Sequence, residues 1–435
     1  MRAKIFGTLM FLGTTVMAGP PAPVTDADYV PTDMEQVRLG QMLFYDPILS
    51  GNRNISCATC HHPKFGTGDG VALSLGEGGQ GLGPDRVANP DNMPEQRIPR
   101  NAPALFNLGA REFTVLFHDG RIEVDADKPG GIRTPMGAEM NQGFASLLSA
   151  QTMFPVLSAD EMAGHYSENE ISKAVRQGRI TGPDGAWDLL AARVRDTPGY
   201  APLIGAAFPD VDGFGFTHIS DAVAAFMAFE WRSDTSPFDA FLRGGAPLGD
   251  AAVAGMELFY GEAKCGDCHS GSFQTDHSFH AMGVPQFGPG KAARFENHVR
   301  DTGRMRVTGR AEDAYAFRTP SLRNVTATGP WGHTGSHADL AAFIAYHADP
   351  ASAFDGFDPG SVDLPDLAGA DDWRHHNNPT EQALLRSAVV RGSVDLSAGD
   401  VASLVAFLDS LTDEAAIKGR LGIPAKVPSG LPVDR

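Results

Sequence analysis

Positively charged residues are in short supply in this sequence. Lysine and arginine number 35, against 53 aspartates and glutamates, so the formal net charge is −18 at pH 7. This balance argues against a nucleic-acid partner, because phosphate binding needs a cationic surface. An acidic protein instead attracts basic protein partners during diffusion. Simple solubility explains the same charge, and composition does not separate the two interpretations.

Long apolar runs are almost absent. One run, at residues 5–17, follows the basic residues Arg2 and Lys4 and precedes the small residue Ala18. It is shorter than the roughly 20 apolar residues of a transmembrane helix. The pattern is typical of a secretory signal peptide at residues 1–18, with an uncleaved anchor as the alternative. We therefore expect a soluble protein exported to the periplasm, with no membrane span.

Cysteine is also scarce, with four residues in the chain. The four form two Cys-x-x-Cys pairs, each followed directly by histidine: Cys57, Cys60 and His61, then Cys265, Cys268 and His269. Two disulfides or a zinc site would also use four cysteines, but neither requires a histidine after each pair. Cys-x-x-Cys-His is the pattern of covalent c-type haem attachment. The sequence therefore predicts two haem c groups, with His61 and His269 each on one face of an iron.

The segments before the two motifs resemble each other. Gly40-Gln-Met-Leu-Phe-Tyr precedes the first and Gly255-Met-Glu-Leu-Phe-Tyr the second. Apolar spacing predicts a helix in each, and further helices at 219–229, 340–347 and 401–411, whereas strand-like alternation is scarce. A Gly/Pro cluster at 244–249 indicates a boundary. We expect a mainly α fold of two cytochrome c-like helical domains, residues 19–245 and 246–435, each with one haem c, and long irregular loops such as 66–99.

Four further motifs accompany the haem motifs. They are Arg100-Asn-Ala-Pro-Ala-Leu105, His118-Asp-Gly-Arg121, Phe317-Arg-Thr-Pro-Ser-Leu-Arg-Asn324 and His333-Thr-Gly335. Together they resemble the bacterial di-haem cytochrome c peroxidases, a group that includes MauG, which oxidises a partner protein. The resemblance covers nearly all of the chain after residue 18. It implies a periplasmic enzyme that uses hydrogen peroxide, with one peroxidatic haem and one haem that relays electrons.

The far face of the first haem is expected to be open. In well-known peroxidases of the family, a histidine some sixteen residues past the first haem histidine caps that iron at rest. Residues 72–82 hold no histidine here, and His62 adjoins His61 too closely to reach the far face. A vacant position on the iron is what peroxide binding requires. The arrangement therefore resembles that of MauG.

The family places a glutamine, a proline four residues on and a glutamate six further over this open face. Gln151, Pro155 and Glu161 match that spacing. The resemblance implies that Glu161 moves a proton between the two peroxide oxygens and that Gln151 shapes the pocket. Ser158-Ala-Asp-Glu161 also fits a helix capping box, which is the alternative interpretation of Glu161.

The second haem is expected to have two protein ligands. The family puts the second ligand fourteen residues after the histidine of a Pro-x-x-His turn, here Pro330 to His333, and that position is His347. Well-known members have methionine there, and MauG has tyrosine. Bis-histidine ligation would lower the reduction potential. In the alternative, His347 is a cation at a helix C-terminus and Tyr346 is the ligand.

The family also holds a calcium ion between the haems. The matching residues are Asn101, Thr328 and Pro330, whose side-chain and carbonyl oxygens suit calcium, although each is also an ordinary turn or cap residue.

The chain departs from the family at one position that matters for electron transfer. The tryptophan that bridges the haems in the family is His118 here, so Trp331 is either a substitute carrier or a packing residue. We assign the remaining histidines, such as His165, His218, His375 and His376, to surface or packing roles.

Three functions are compatible with these features. The first is reduction of hydrogen peroxide, with electrons from a small cytochrome or copper protein entering at the second haem. The second is a MauG-like oxidation of tryptophan or tyrosine side chains on a partner protein. The third is a non-enzymatic electron carrier. The matched Gln151, Pro155 and Glu161 disfavour the third, because a carrier needs no proton shuttle.

Overall fold

A computed structural model describes residues 19–140, 143–292 and 296–435. The predicted signal peptide lies outside the described residues. Helices dominate the described part of the chain, as the sequence predicts. Its α-helices are α1 (Met34–Tyr45), α2 (Cys57–Cys60), α3 (Leu147–Thr152), α4 (Glu170–Arg176), α5 (Ala186–Arg195), α6 (Ala201–Ala207), α7 (Phe216–Glu230), α8 (Pro237–Leu242), α9 (Asp250–Tyr260), α10 (Met305–Thr308), α11 (Leu340–Ala348), α12 (Pro350–Ala353), α13 (Pro379–Ser387), α14 (Ala398–Asp409) and α15 (Glu414–Lys418).

Strands are short and few in the described residues. They are β1 (Gly79–Gln80), β2 (Val87–Ala88), β3 (Val115–Leu116), β4 (Ile122–Val124), β5 (Ile132–Arg133), β6 (Phe279–His280) and β7 (Phe317–Arg318). All pair antiparallel, in the orders β1-β2, β3-β4-β5 and β6-β7. The β6-β7 pair joins Phe279 to Arg318 and brings the segment after the second haem motif against the Phe317–Asn324 motif. Apart from β1, β2 and one 3-10 helical turn, Gly83–Asp85, residues 66–99 form turns and irregular backbone, as predicted.

The two repeated segments pack in the same way. Helix α1 crosses α7 at Gly40, where an added Cβ would lie 1.9 Å from the carbonyl oxygen of Ala222. Helix α9 crosses α14 at Gly255, where an added Cβ would lie 1.9 Å from the carbonyl oxygen of Ser403. Glycine is needed at both crossings because any side chain would collide with the facing backbone. The sequence repeat therefore reflects a repeated helix crossing that precedes each haem motif.

Two hydrophobic clusters correspond to these two helix pairs. The larger surrounds α1 and α7, and the smaller surrounds α9 and α14. The C-terminal segment after α14 returns to the larger cluster, where Val427 is buried and Thr59 donates to Asp434 at 2.5 Å. Residues 414–435 therefore pack with the N-terminal half, although they follow the C-terminal half in sequence.

None of the helices in the described residues is long and apolar enough to cross a bilayer. The long helices that do form are amphipathic, with one face on a core. Side-chain caps mark the start of some of these helices. In α1, the Asp33 carboxylate accepts hydrogen bonds from the amides of Glu35 and Gln36 at 2.9 and 3.0 Å. Such a side-chain cap satisfies amide groups that the helix itself leaves without partners.

Candidate active site

The first haem motif forms the short helix α2 and the turn after it. His61 follows this helix, and its Nδ1 lies 3.0 Å from the carbonyl oxygen of Thr67. A carbonyl can only accept, so Nδ1 carries the proton and Nε2 keeps its lone pair. The neighbouring His62 has the opposite arrangement, because its Nδ1 accepts from the amide of Lys64 at 3.2 Å. Of these two imidazoles, His61 is thus the one prepared to ligate through Nε2.

The second haem motif has the same hydrogen bond from histidine Nδ1 to a backbone carbonyl. Nδ1 of His269 lies 3.1 Å from the carbonyl oxygen of Gln274. On helix α11, Nδ1 of His347 lies 3.0 Å from the carbonyl oxygen of Phe343. Both imidazoles therefore present Nε2, and a hydrogen bond from the other nitrogen is the usual way in which proteins orient a metal-bound histidine.

Burial keeps these imidazoles neutral. It lowers the pKa of His269 to about 4 and of His347 to about 4, and the nearby His269 lowers the pKa of His347 further. Burial also lowers the pKa of His61, against the opposing effect of the Thr67 carbonyl. A histidine ligates a metal only in its neutral form. The three side chains therefore have the protonation state that iron ligation needs at neutral pH.

A cavity of about 310 Å³ surrounds the second haem motif. Cys265, Cys268 and His269 line it, and so does His347 from helix α11. Tyr346 does not line the cavity; it is 3% exposed and its hydroxyl donates to the carbonyl of Gly283 at 2.6 Å. This arrangement favours His347 over Tyr346 as the second ligand.

The charge of the cavity lining also fits a haem. Arg318 lines it, and burial lowers the pKa of this guanidinium to about 10. Arg318 donates to the carbonyls of Phe117 and Thr319 at 3.3 and 3.2 Å, and it forms no ion pair with a carboxylate among the described residues. A buried cation of this kind is costly without a counter-ion. The propionate carboxylates of a haem would supply one.

Gln151 and Glu161 lie on separate elements that follow each other. Gln151 is near the end of α3, lines the large cavity, and has a buried Oε1 with no hydrogen-bond partner. Glu161 lies in a π-helical turn, Ala159–Ala163, and Ser158 makes no side-chain capping hydrogen bond there. The capping-box interpretation of Glu161 is therefore wrong. Turns of this kind occur often at functional sites.

The charges around Glu161 suit a proton-transfer group. Burial raises the pKa of the Glu161 carboxyl, while Lys291 and Arg121 oppose the rise. Burial lowers the pKa of Lys291 to about 8, and Arg100 and Arg121 lower it further. Burial likewise raises the pKa of the Cys60 thiol to about 12, with Asp69 and then Glu161 among the added causes. Glu161 thus lies within electrostatic range of the first haem motif and of two cations.

The loop at residues 72–82 begins in contact with the C-terminal half of the chain. Ala72 and Leu73 are fully buried in a cluster with Phe287 and Trp373 of the C-terminal half. The amide of Ala72 also donates to the carbonyl of Asp363 at 3.2 Å. The start of this loop therefore packs against the C-terminal half, whereas Ser74 hydrogen-bonds Cys60 of the first haem motif. Residues 72–82 offer no histidine.

The residues expected between the haems come together. Asn101, Thr328, Pro330, His118 and Trp331 all line the large cavity. The Asn101 amide nitrogen donates to the carbonyls of residues 71 and 72 at 2.8 and 3.2 Å, which leaves Oδ1 as its atom for a cation. Burial and then Arg100 lower the pKa of His118 to about 4, so its imidazole is neutral. Trp331 donates to the carbonyl of Val325 at 2.9 Å.

Sequence reasoning missed three cations of the site. Lys291 and Arg391 are distant in sequence from the residues that they approach, and a lone lysine or arginine carries no spacing signal. Arg318 stands inside the Phe317–Asn324 motif, so the motif itself could have identified it. The histidines assigned to packing do pack: His375 is fully buried and His218 stacks on Phe214 at 5.7 Å.

The fold and the two sites define a di-haem c-type cytochrome. Residues 34–246 match the model of the family described as di-haem cytochrome c peroxidase. The chain is 31% identical over 320 residues to the methylamine utilization protein MauG of Methylorubrum extorquens, covering 73% of this chain and 69% of that protein. It is 31% identical over 311 residues to the cytochrome c peroxidase Ccp of Escherichia coli, covering 70% and 51%.

A solved structure agrees with these relationships. The crystal structure of a MauG-like protein associated with microbial copper homeostasis has a TM-score of 0.56 and 26% identity to this chain, covering 94% of this chain and 97% of that one. This chain therefore belongs to the di-haem cytochrome c peroxidase and MauG family. It is an oxidoreductase that uses two haem c groups, and the mainly α fold expected from the sequence is confirmed.

Proposed function

We propose that this protein is a periplasmic peroxidase that reduces hydrogen peroxide to water at the first haem site, Cys57, Cys60 and His61. Electrons would come from a small cytochrome or copper protein and pass through the second haem site, Cys265, Cys268 and His269 with His347. Two electrons and two protons convert each peroxide to two waters. The carrying observation is Glu161, a buried carboxyl close enough to Cys60 of the first haem motif to add to the rise that burial causes in its thiol pKa, while residues 72–82 offer no histidine to cap that haem.

The haem supplies the redox chemistry that breaks the O–O bond. Glu161 would accept a proton from one peroxide oxygen and return it to the other, so its net charge would be unchanged over the step. Gln151 holds the oxidant through its amide group. Lys291 and Arg121 oppose the rise in the Glu161 pKa that burial causes, and they thereby favour the ionised form, which is the form that can accept the proton.

The second haem site supports electron relay. Two histidine ligands fixed by backbone carbonyls reorganise little when the iron changes charge. We further infer that calcium binds between the haems at Asn101, Thr328 and Pro330, since these residues line the same cavity and their side-chain and carbonyl oxygens match the chemistry of that cation. His118 or Trp331 would lie on the electron route.

A second candidate function is the MauG-like oxidation of tryptophan or tyrosine side chains on a partner protein. The absence of a histidine at residues 72–82 and the histidine at position 347 favour it, because both depart from the peroxidases that need reductive activation. The His118 substitution counts against it, since a histidine carries an electron hole less readily than an indole.

Turnover with a reduced small donor protein separates these two functions. A peroxidase consumes peroxide rapidly while oxidising the donor. A protein-modifying enzyme shows negligible donor turnover and a long-lived oxidised state after peroxide addition. Electron paramagnetic resonance of the oxidised protein tests the shared premise of an open first haem. One high-spin and one low-spin signal support it, and two low-spin signals would contradict it.

A further inference from the structure

A cluster of carboxamides beside the first haem site has no assigned role. The side chains of Asn52, Asn54 and Asn92 all donate to Oε1 of Glu77, at 3.0, 2.8 and 3.1 Å. Glu77 is 1% exposed, and its other oxygen, Oε2, is buried with no hydrogen-bond partner. A carboxylate offers about four lone-pair positions over two oxygens. Three donors on one oxygen and none on the other leave half of this buried anion without a partner.

The cluster also concentrates negative charge. The Asn52 amide donates to Glu168 at 2.5 Å as well as to Glu77, so one amide group bridges two carboxylates. No lysine or arginine of the described ranges forms an ion pair with either carboxylate. Arg86, on the same loop, donates to the carbonyls of Gly76 and Gly81 at 2.7 and 2.8 Å. Two carboxylates held this close are stabilised when a cation joins them.

Two of the amides can turn an oxygen towards Glu77. Asn92 can rotate because its partner, Nδ1 of His165 at 2.9 Å, donates or accepts according to tautomer. Asn54 has only a long contact of 3.4 Å, from the Ser50 hydroxyl, on its oxygen. Asn52 keeps its orientation, since its oxygen accepts from Asn169 at 2.9 Å. The nitrogen and oxygen of an amide are assigned from such partners.

We propose that Glu77, Asn54 and Asn92 form a calcium site separate from the inter-haem site at Asn101, Thr328 and Pro330. Both oxygens of Glu77 and the two amide oxygens supply four ligands, and water completes the six to eight that calcium takes. Asn52 and Glu168 lie outside the ligand shell, where Asn52 orients the Glu77 carboxylate. Calcium suits this set better than a transition metal because every ligand is a hard oxygen.

The site joins three segments that build the first haem pocket. Asn54 precedes Cys57, Glu77 and Asn92 belong to the long loop, and the backbone on both sides of Glu161 is bonded to this cluster. The amide of Glu77 donates to the carbonyl of Asp160 at 2.8 Å, and the amide of Gly51 donates to the carbonyl of Met162 at 2.7 Å. Calcium here would fix the position of Glu161 relative to the haem loop. Only this positioning role rests on the proposed function; binding itself does not.

The number of calcium ions bound per chain of the holoprotein tests the site. Chelator-treated protein is titrated with calcium alone by isothermal calorimetry, and retained calcium is measured after gel filtration. Glu77→Gln should bind one calcium fewer per chain than the wild type, whereas Asn101→Ala should keep at least one. Glu230→Gln is the matched control, because Glu230 is also 1% exposed but has both oxygens bonded, by the amides of Leu421 and Gly422. The Glu230→Gln variant should bind as many calcium ions per chain as the wild type.

Equal stoichiometry in Glu77→Gln and the wild type, or no calcium binding by the wild type, would overturn the proposal. If Glu77→Gln does not fold, Asn92→Ala and Asn54→Ala serve instead, with weaker calcium binding expected. The role of this site in positioning Glu161 is tested separately: the Glu77→Gln variant should react more slowly with peroxide. A lost calcium with an unchanged rate would refute positioning alone, and an inactive wild type would refute the proposed peroxidase while leaving the calcium count intact.

Discussion

Nε of Arg391 donates a hydrogen bond of 2.8 Å to the backbone carbonyl of His347. The same guanidinium donates through Nη2 to the carbonyl of Ala263 at 2.8 Å, two residues before Cys265. One side chain therefore connects the helix that carries His347 with the loop that carries the second haem motif. Arg391 also lines the large cavity, so its positive charge faces the haem position.

Replacing Arg391 with glutamine should lower the reduction potential of the second haem. A nearby cation disfavours the oxidised, more positive iron, and its removal stabilises that form. We expect a decrease of tens of millivolts, where about 59 mV is a tenfold change for one electron. Spectroelectrochemical titration measures it. Arg386→Gln is the control, since Arg386 lies on the same segment, stacks on Phe354 and pairs with Asp355 away from the cavity; equal shifts in both variants would contradict the assignment.

Alanine at the two helix-crossing glycines should destabilise the fold. In Gly40→Ala and Gly255→Ala the new Cβ meets a carbonyl oxygen of the facing helix, at 1.9 Å before any relaxation. Overpacking of this kind costs about 1–3 kcal/mol of unfolding free energy. Gly205→Ala in α6 is the control, because nothing lies within 4 Å of its added Cβ. It should stabilise by about 0.5–1 kcal/mol, and urea unfolding compares the three.

Glu161→Gln should slow the reaction with hydrogen peroxide by about 10²–10⁴-fold while both haems stay attached. The wild-type rate should fall as the pH falls, because protonated Glu161 cannot accept a proton. Burial raises the Glu161 pKa, so this decline should begin at a higher pH than for an ordinary glutamate.

Stopped-flow rates over a range of pH give both results. Glu161→Asp keeps a carboxyl group and should retain the acidic limb of the profile with a reduced rate. A Glu161→Gln protein that keeps the wild-type rate and profile would exclude the proton-transfer role.

Substitution of His347 should convert the second haem from low spin to high spin, since one axial ligand is lost. His347→Gly is the test variant, and electron paramagnetic resonance of the oxidised protein is the measurement. Tyr346→Phe should leave the low-spin signal intact and remove only the hydrogen bond to Gly283, at a cost of about 1 kcal/mol. The reverse pattern would make Tyr346 the ligand.

Much of the candidate site could be predicted from short-range patterns. Cys-x-x-Cys-His is a local motif whose chemistry depends on three neighbouring residues. His61 and His269 could therefore be identified as candidate haem ligands without knowledge of the fold. The helices α1, α7, α9 and α11 followed from apolar periodicity, which reports one buried face. Helix α14 ends at Asp409, two residues before the end of its predicted range, because periodicity does not mark a cap.

Other features could not be predicted because they join distant residues. The bonds of Arg391 to His347 and Ala263 span 44 and 128 positions. The return of Val427 to the first hydrophobic cluster likewise leaves no local trace, since an apolar residue in a tail fits either half of the molecule.

The sequence by itself predicted the two haem attachment motifs with His61 and His269 on the near faces, and it determined the helical character and the family. These depend on residue identity and spacing along the chain. The tertiary structure decided which of Tyr346 and His347 lines the cavity, that Glu161 lies in a π-helical turn near Lys291 and Arg121, and that Glu77 gathers three amides. Those relationships depend on burial and on contacts between distant segments, and both exist only once the chain has folded.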